Sequence, residues 1–251
     1  MIEIKNITKK YGRITAVDRL NLSIPQGEIF GFIGPNGAGK TTTISMMAGL
    51  LAPTSGTVTV CGIDMLKSPE KAKQKIGYIP DRPYIYEKLT AMEFLKFTAD
   101  LFNMPQHSFE QEAELQLNRF SLLDWADELI ESFSHGMKQR LIMCAALLHK
   151  PELVVVDEPM VGLDPSGIRM VKKLLRDLAA GGTTVFMSTH TLQIAQDICD
   201  RIGVIHRGKL IAEGTVDELK EQANADRVDL EQVFMILTET YQENGNITGG
   251  L

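Results

Sequence analysis

A glycine-rich segment at residues 34–41, Gly-Pro-Asn-Gly-Ala-Gly-Lys-Thr, matches the complete phosphate-binding pattern G-x-x-x-x-G-K-[ST]. It follows the apolar run Ile29–Ile33 and precedes a helix-like stretch that begins at Lys40. Phosphate-binding loops occur in this strand–loop–helix context. Glycine lets backbone N–H groups approach phosphate oxygens, whereas a Cβ atom would block them. The segment therefore predicts an α/β fold with a nucleotide site.

The residues of this loop have separate predicted roles. Lys40 is placed to reach the β- and γ-phosphates, and the Thr41 hydroxyl is placed to ligate Mg²⁺. The N-terminus of the following helix adds a favourable dipole for the anionic phosphates. We predict that the nucleotide is bound by Gly34, Pro35, Asn36, Gly37, Ala38, Gly39, Lys40, Thr41 and Thr42.

The composition narrows the class of protein. A chain of 251 residues is long enough for one large domain or a domain with an inserted lobe. Its net charge of −6 argues against nucleic acid as a main partner. Cys61, Cys144 and Cys199 form no C-x-x-C pair, so neither a disulfide framework nor a zinc site is predicted. The longest apolar run, Leu141–Leu148, is too short to cross a bilayer, so we expect the chain not to span a membrane by itself.

Two adjacent acids follow the apolar run Leu153–Val156, which has the pattern of a strand covered on both faces. Ligands of α/β folds bind at the carboxyl ends of such strands. A carboxylate there can hold Mg²⁺ through water, and a neighbouring one can take the proton from an attacking water. We predict that Asp157 positions Mg²⁺ and that Glu158 is the general base.

Between residues 90 and 148 the pattern changes to helices. Thr90 with Glu93, and Ser108 with Gln111, fit the capping box that begins a helix. No strand pattern interrupts this stretch, so we interpret it as a helical lobe inserted into the α/β core.

Other elements are predicted on either side of the lobe. A last helix is predicted near residues 229–240, followed by a disordered tail from Asn244. A small antiparallel sheet is expected from the alternating segments near the N-terminus. The remaining strands are predicted at residues 2–8, 20–24, 57–61, 183–188, 203–206 and 209–212.

Five further fragments, together with the phosphate loop and the two acids, resemble the ATP-binding subunit of an ABC transporter over nearly the whole chain. Tyr11 lies where that family stacks an aromatic ring on adenine. The other fragments resemble the family's Q-loop (residues 76–81, ending at Asp81), signature (residues 133–140), D-loop (residues 161–164, ending at Asp164) and switch histidine (residues 188–190, ending at His190).

The resemblance implies a P-loop NTPase fold with a RecA-like, mainly parallel core sheet, a small antiparallel β subdomain and an inserted α-helical subdomain that carries the signature. The core and β subdomain are expected at residues 1–88 and 150–216, and the helical subdomain at residues 89–149. A C-terminal helical extension and flexible tail are expected at residues 217–251.

The resemblance also implies roles for the remaining site residues. His190 orients the γ-phosphate and the water, and Asp164 contributes from the D-loop. Ser134 is a good helix cap, and with the Gly136 backbone it forms a second anion site. In the family this site contacts the ATP that a second subunit holds, so that two subunits meet head to tail.

Several positions depart from the usual family pattern, among them two in the signature and one in the Q-loop. His135 replaces the first signature glycine and Met137 replaces the signature glutamine, as in bacterial drug, antibiotic and sodium exporters. Asp81 replaces the usual glutamine of the Q-loop. Since it is shorter and charged, it favours a water-bridged Mg²⁺ contact.

The implied function is ATP binding and hydrolysis, with Mg²⁺, that powers transport through a separate transmembrane permease. Export is favoured, a homodimer is expected, and the chain is expected at the cytoplasmic face of the cell membrane. Tyr84 and Tyr86 are expected to line the socket for the permease, because amphipathic aromatics are favoured at interfaces. The cargo is left open.

The alternatives to this function are of three kinds. One is an ABC-type ATPase that acts in DNA repair or translation without a transporter. Another is a GTP-driven switch, which would need an Asn-Lys-x-Asp motif that this sequence lacks. A third is a nucleotide-binding regulator without turnover, against which the intact Glu158 argues.

Overall fold

The computed structural model describes residues 1–82, 84–225 and 228–247. The strands are β1 (Ile2–Tyr11), β2 (Ile14–Ile24), β3 (Ile29–Ile33), β4 (Ser55–Val60), β5 (Ile63–Asp64), β6 (Ile76–Ile79), β7 (Leu153–Asp157), β8 (Thr184–Thr189), β9 (Arg201–His206) and β10 (Lys209–Gly214). The α-helices are α1 (Lys40–Met47), α2 (Pro69–Lys73), α3 (Ala91–Leu101), α4 (Gln106–Arg119), α5 (His135–Leu147), α6 (Pro165–Ala180), α7 (Leu192–Ile198), α8 (Val216–Gln222) and α9 (Leu230–Ile247).

The larger sheet has the strand order β10-β9-β3-β8-β7-β6, and all its neighbours are parallel except the hairpin pair β9 and β10. Strands β3, β7 and β8 are buried along their full length, which explains their unbroken apolar sequences. Parallel strands end at the same edge of a sheet. The segments that follow β3, β7 and β8 therefore meet there, although they are far apart in the sequence.

The smaller sheet is antiparallel, with the order β2-β1-β4-β5. Its inward side chains, such as Ile4 and Leu22, pack in one cluster with Phe30, Phe32 and Phe186 of the larger sheet. The predicted antiparallel sheet is thus present. Strands β1 and β2 are longer than predicted, because their pairing continues to the tip of the hairpin.

The helical lobe is formed by α3, α4 and α5, and its start follows the predicted capping box. Thr90 accepts a hydrogen bond from the Glu93 backbone, and Glu93 accepts one from the Thr90 backbone. The second predicted box, at Ser108 and Gln111, is wrong. Helix α4 already begins at Gln106, after Pro105, and Ser108 lies inside its first turn. The restricted φ of Pro105 suits a helix start better than a side-chain cap does here.

The C-terminal segment packs against the core. Leu219 of α8 and Leu230 and Val233 of α9 are buried in a cluster with Ile33 and Ala195. Helix α9 is assigned from Leu230 to Ile247, and the disorder expected from Asn244 stays a prediction. Residues 248–251 lie outside the described part of the chain. Within the described part, no helix is both long enough and apolar enough to cross a bilayer.

A buried histidine lies where the helical lobe meets the core sheet. His149, just after α5, donates from Nε2 to the Ile76 carbonyl of β6 at 3.1 Å. Its ring stacks on Phe102 of α3 with a centroid separation of 3.7 Å. Burial lowers the pKa of His149 from 6.5 to about 4, although the hydrogen bond to Ile76 opposes this effect. The folded protein therefore holds this imidazole in its neutral form.

We expect the free energy of unfolding to fall as the pH drops from 6.5 towards 4. In this range the unfolded chain takes up a proton on His149 and the folded chain does not. The contribution is about 2 kcal/mol at pH 5 and about 3 kcal/mol at its limit. Urea unfolding at pH 7.5 and pH 5 should show a smaller loss of stability for His149→Gln than for the unchanged protein. Equal losses in the two proteins would contradict the prediction.

Candidate active site

The phosphate loop connects β3 to α1, and its glycines are required by their neighbours. A Cβ atom on Gly34 would lie 2.4 Å from the carbonyl oxygen of Ile205. One on Gly39, whose φ is +109°, would lie 2.6 Å from the carbonyl oxygen of Ala16. At Gly37, by contrast, a Cβ would have space, and the positive φ of +79° is what favours glycine. Glycine at positions 34 and 39 is therefore required by close packing against neighbouring backbone as well as by the predicted phosphate contact.

Lys40 lies inside this loop and is largely buried. Its Nζ atom donates to the carbonyl oxygens of Gly34 at 2.7 Å and Pro35 at 3.3 Å. Burial lowers the pKa of Lys40, and the negative charges of Glu158 and Asp157 partly oppose that effect. The ammonium group therefore lies between the phosphate loop and the two acids at the end of β7.

Asp157 is buried at the carboxyl end of β7 and is held by the neighbouring strand. Ser188 of β8 lies opposite Asp157 in the strand pairing, and its hydroxyl donates to Oδ1 of Asp157. One carboxylate oxygen is thereby oriented by the protein. A carboxylate anchored in this way has one well-defined direction for a cation or a water.

Glu158 and His190 form a hydrogen-bonded pair at the same edge. Nδ1 of His190 lies 2.8 Å from Oε1 of Glu158. Glu158 has a φ of +52°, a left-handed conformation that costs a non-glycine residue roughly 1–3 kcal/mol. Its backbone N–H donates to the carbonyl of Ser188 at 3.1 Å, which helps to hold this conformation. The strained backbone and the imidazole together fix the direction of the Glu158 carboxylate.

Tyr11 and Asp81 lie at the ends of other strands. Tyr11 ends β1, its ring is half exposed, and Lys9 Nζ lies 5.3 Å from the ring centroid. Asp81 follows β6 and is exposed. Burial raises the pKa of Tyr78 to about 12, and the charges of Asp157 and Asp81 add to this effect. Both carboxylates therefore lie close enough to Tyr78 to act on it.

The signature serine and the D-loop aspartate lie in a second cleft. Ser134 caps α5 by accepting a hydrogen bond from the Met137 backbone at 3.2 Å. Asp164 caps α6 by accepting from the Gly167 backbone at 3.0 Å, and it also accepts from the Ser166 hydroxyl at 2.7 Å. These two hydrogen bonds lower the pKa of Asp164. The cleft has a volume of about 520 Å³, and Gly136, Gly162 and Arg140 also line it.

The structure thus divides the predicted site residues into groups. It brings Lys40, Asp157, Glu158 and His190 together at one edge of the larger sheet. It leaves Ser134, Gly136 and Asp164 in the second cleft, which no described residue of the phosphate loop lines. A single chain therefore presents a phosphate loop with its acids and, separately, a serine-capped helix.

The oxygen donors near the loop suit a hard cation that is shared with phosphate. In the described part of the chain, no three His, Cys, Asp or Glu side chains cluster as a metal site of their own. Thr41 is an exposed hydroxyl at the start of α1, Asp157 acts on the charge of neighbouring Lys40, and Asp81 and Asp157 both act on Tyr78. Mg²⁺ is commonly held by one or two carboxylates, waters and substrate phosphates, so this donor set fits it.

Two contributors to the site have no role in the sequence interpretation. Ser188 appears there only as part of the fragment before His190, yet its hydroxyl orients Asp157. Lys138 of α5 forms an ion pair with Glu87, which links the signature helix to the segment after Asp81. The only signal for Ser188 is a hydroxyl residue near the end of an apolar strand. Such a signal is common and does not reveal which strand lies beside it.

Comparisons with known proteins give both sequence relatives and structural neighbours. The sequence model of the ABC transporter family matches residues 17–161. The linearmycin resistance ATP-binding protein LnrL of Bacillus subtilis (strain 168) is 41% identical over 228 residues, which are 91% of this chain and 73% of that protein.

Solved structures of similar proteins share the fold. One described as the ATP-binding subunit of an ABC transporter has a TM-score of 0.90 and 31% identity, and the match covers 95% of this chain and 99% of that one. Another is a dimeric, post-hydrolysis state of the ATP-binding cassette MJ0796 bound to ADP and Pi. It has a TM-score of 0.78 and 27% identity, and the match covers 86% of this chain and 98% of that one.

Proposed function

Because this chain belongs to the ABC transporter family as an ATP-binding subunit, we propose that two copies close head to tail on ATP and power export through a separate permease. The family and the P-loop fold predicted from the sequence are confirmed by the family match and by the structural neighbours. The relatives are transporter subunits, so the alternative in DNA repair or translation is not favoured.

The observation that carries the proposal is the Glu158–His190 pair beside Lys40 and Asp157. Glu158 takes the proton from the attacking water, and its direction is set by His190 and by its left-handed backbone. His190 also orients the γ-phosphate and the water. Lys40 neutralises the β- and γ-phosphates from inside the loop.

We assign the cation to Thr41, Asp157 and Asp81, with the Ser188 hydroxyl holding Asp157 in place. When bound, Mg²⁺ neutralises charge on the phosphate oxygens. The adenine ring lies on Tyr11, whose half-exposed face is accessible at the end of β1. The proposed ATP-binding core is residues 1–88 and 150–216, with the lobe at residues 89–149 and the extension at residues 217–251.

A second copy supplies the rest of the nucleotide site. Ser134 and Gly136, at the N-terminus of α5, lie in the second cleft, away from the chain's own phosphate loop. A helix N-terminus stabilises phosphate, so this end of α5 suits the γ-phosphate held by the partner. Asp164, in the same cleft, belongs to the same surface. The dimeric MJ0796 cassette supports this pairing.

Light scattering tests the dimer directly. With ATP and Mg²⁺ under conditions that block hydrolysis, the chain should change from one copy to two. Ser134→Arg should remain a single copy and still bind ATP, because its own phosphate loop is unchanged. A chain that hydrolyses ATP while remaining a single copy at every ATP concentration would contradict the proposal.

We assign the permease contact to an apolar groove between the core and the lobe, with a volume of about 490 Å³. Leu50, Tyr78, Tyr84, Phe94 and Phe102 are among the residues that line it. Tyr84 is 82% exposed beside this apolar lining, and contiguous exposed apolar surface marks interaction sites. An amphipathic helix fits such a groove because its apolar face can cover these rings.

The segment that carries Tyr84 is also connected to the signature helix. Glu87 pairs with Lys138 of α5, and Lys88 pairs with Glu131 at 2.5 Å. A permease helix that moves in the groove can therefore act on α5, which carries Ser134. Tyr86, which is also expected to line this socket, is 61% exposed, and its ring lies edge-on against Phe97 with centroids 5.5 Å apart.

We predict that Tyr84→Ala combined with Tyr86→Ala uncouples ATP hydrolysis from transport. Loss of interface aromatics should lower transport by roughly tenfold or more, with unchanged ATP affinity. Transport should be measured in vesicles that contain the chain together with its permease. Leu115→Ala, a half-exposed apolar residue on α4, serves as the control. Normal transport in the double variant would argue against the groove.

The proposal that this chain powers a permease also includes a direction of transport and a place at the membrane. The resemblance to LnrL, named for linearmycin resistance, supports export of an antibiotic-like compound. Cargo contacts belong to the permease in this proposal. The ATP-binding chain is peripheral, at the cytoplasmic face of the membrane, where the permease holds it.

A further inference from the structure

The imidazole of His135 lies against the loop that follows the catalytic acids. Gly162, at the centre of that loop, has a φ of +76°. A Cβ atom built on Gly162 would lie 2.6 Å from Cδ2 and 2.8 Å from Nε2 of His135. The His135 ring therefore occupies the space that a side chain at position 162 would need.

The loop at residues 158–163 is short and tied to itself. The Val161 N–H donates to the carbonyl of Glu158 at 3.3 Å, and the Leu163 N–H donates to the carbonyl of Met160 at 3.3 Å. One end of the loop is Glu158, in its left-handed conformation, and the other is Asp164, which caps α6. Because both ends of the loop are held, a displacement of the backbone at Gly162 also shifts the backbone of Glu158.

We propose that His135 is a positioning residue, which fixes the D-loop by packing on Gly162 and so sets the backbone of Glu158 in the same copy. The inference rests on the proposed function, in which Ser134 and Gly136 contact the ATP of the partner copy. Contact of the signature with that ATP moves His135, and His135 transmits the movement to the base that serves the chain's own ATP. The histidine at this position thus connects the two nucleotide sites of a dimer.

A direct contact between His135 and the partner's nucleotide is the competing explanation, since the residue is exposed. The two explanations predict different effects when a flat, uncharged ring replaces the imidazole at position 135. A phenylalanine keeps a ring against Gly162 but cannot donate a hydrogen bond to phosphate. A glycine removes the ring altogether.

Steady-state ATP hydrolysis by the full chain tests the proposal. For His135→Gly we expect kcat to fall by roughly tenfold at nearly constant KM, because a misplaced base slows chemistry more than binding. For His135→Phe we expect kcat within about threefold of the unchanged protein, because the packing is kept. His107→Ala, an exposed histidine on α4, is the matched control and should match the unchanged protein.

A double-mutant cycle tests whether the His135 ring and position 162 are in steric contact. Gly162→Ala alone should reduce kcat, because the new methyl group meets the ring and the positive φ disfavours alanine. Adding His135→Gly removes the steric conflict, so the double variant should hydrolyse ATP faster than Gly162→Ala alone. Thermal unfolding of each variant identifies any variant that fails to fold. If Gly162→Ala does not fold, the comparison of His135→Gly with His135→Phe still distinguishes a positioning role from a direct nucleotide contact.

The possible results distinguish a failure of the proposed function from a failure of the role assigned to His135. If the unchanged protein neither hydrolyses ATP nor dimerises with it, the proposed function fails, and the role of His135 fails with it. If the unchanged protein does both and His135→Gly has the same kcat, only the His135 assignment is overturned. A raised KM in His135→Gly that phenylalanine does not rescue would overturn it in favour of a direct nucleotide contact.

Discussion

Glu158→Gln is expected to lower ATP turnover by roughly 10²–10⁴-fold, the usual contribution of a general base, while ATP still binds. The amide has nearly the same shape as the carboxylate but cannot take the proton from water. Glu158 lies 2.8 Å from His190 and close to Lys40, so its removal affects the chemistry and leaves the phosphate loop intact. ATP that cannot be cleaved should then hold two copies together as a stable dimer.

Single-turnover hydrolysis and light scattering with ATP and Mg²⁺ would measure both effects. Glu114→Gln, an exposed glutamate on α4, makes the same change in net charge away from the site and should behave as the unchanged protein. Near-normal turnover in Glu158→Gln would refute the assignment of the base. Low turnover without a stable dimer would leave Glu158 as the base but contradict the closure of two copies on ATP.

Lys40→Ala is expected to abolish measurable nucleotide binding, with a loss in affinity of at least roughly 10²-fold. Two charge-assisted hydrogen bonds to phosphate are worth about 1.5–3 kcal/mol each. The ammonium group is largely buried within the loop, so water and surface cations cannot readily replace it. Titration calorimetry with ATP would measure the change.

The control must separate lost binding from lost structure, because Lys40 also donates to the carbonyls of Gly34 and Pro35. Thermal unfolding without nucleotide should show that Lys40→Ala still folds. Lys71→Ala, an exposed lysine on α2, changes the net charge equally and should bind ATP normally. A folded Lys40→Ala variant with unchanged ATP affinity would show that the loop binds its ligand in another way.

Much of the secondary structure could be predicted because its signals are local. The capping box at Thr90 and the serine cap at Ser134 depend on residues within one helical turn, and both are present. Where two local signals for a helix start lie close together, the sequence does not show which of them is used. Pro105 starts α4 before the predicted box at Ser108.

The packing of α9 shows a different limit. Its amphipathic pattern predicts a helix near residues 229–240, and the structure begins this helix at Leu230. Its first turns are anchored by Leu230 and Val233 in the core, and this packing supports a helix that propensity alone does not. Whether that anchor exists depends on where α7 and α8 lie, which no short segment reveals.

The sequence by itself determined the chemistry that is available to this protein. The phosphate loop, the two acids after an apolar strand and the serine before α5 are contiguous patterns, so their types and order were evident. Only the tertiary structure decided which of them act together. Parallel pairing of β7 and β8 places Ser188 on Asp157 and brings His190 to Glu158, and helix packing places His135 on Gly162. These contacts join distant segments, and their register depends on how the buried faces of whole strands and helices fit, which is not written in any local pattern.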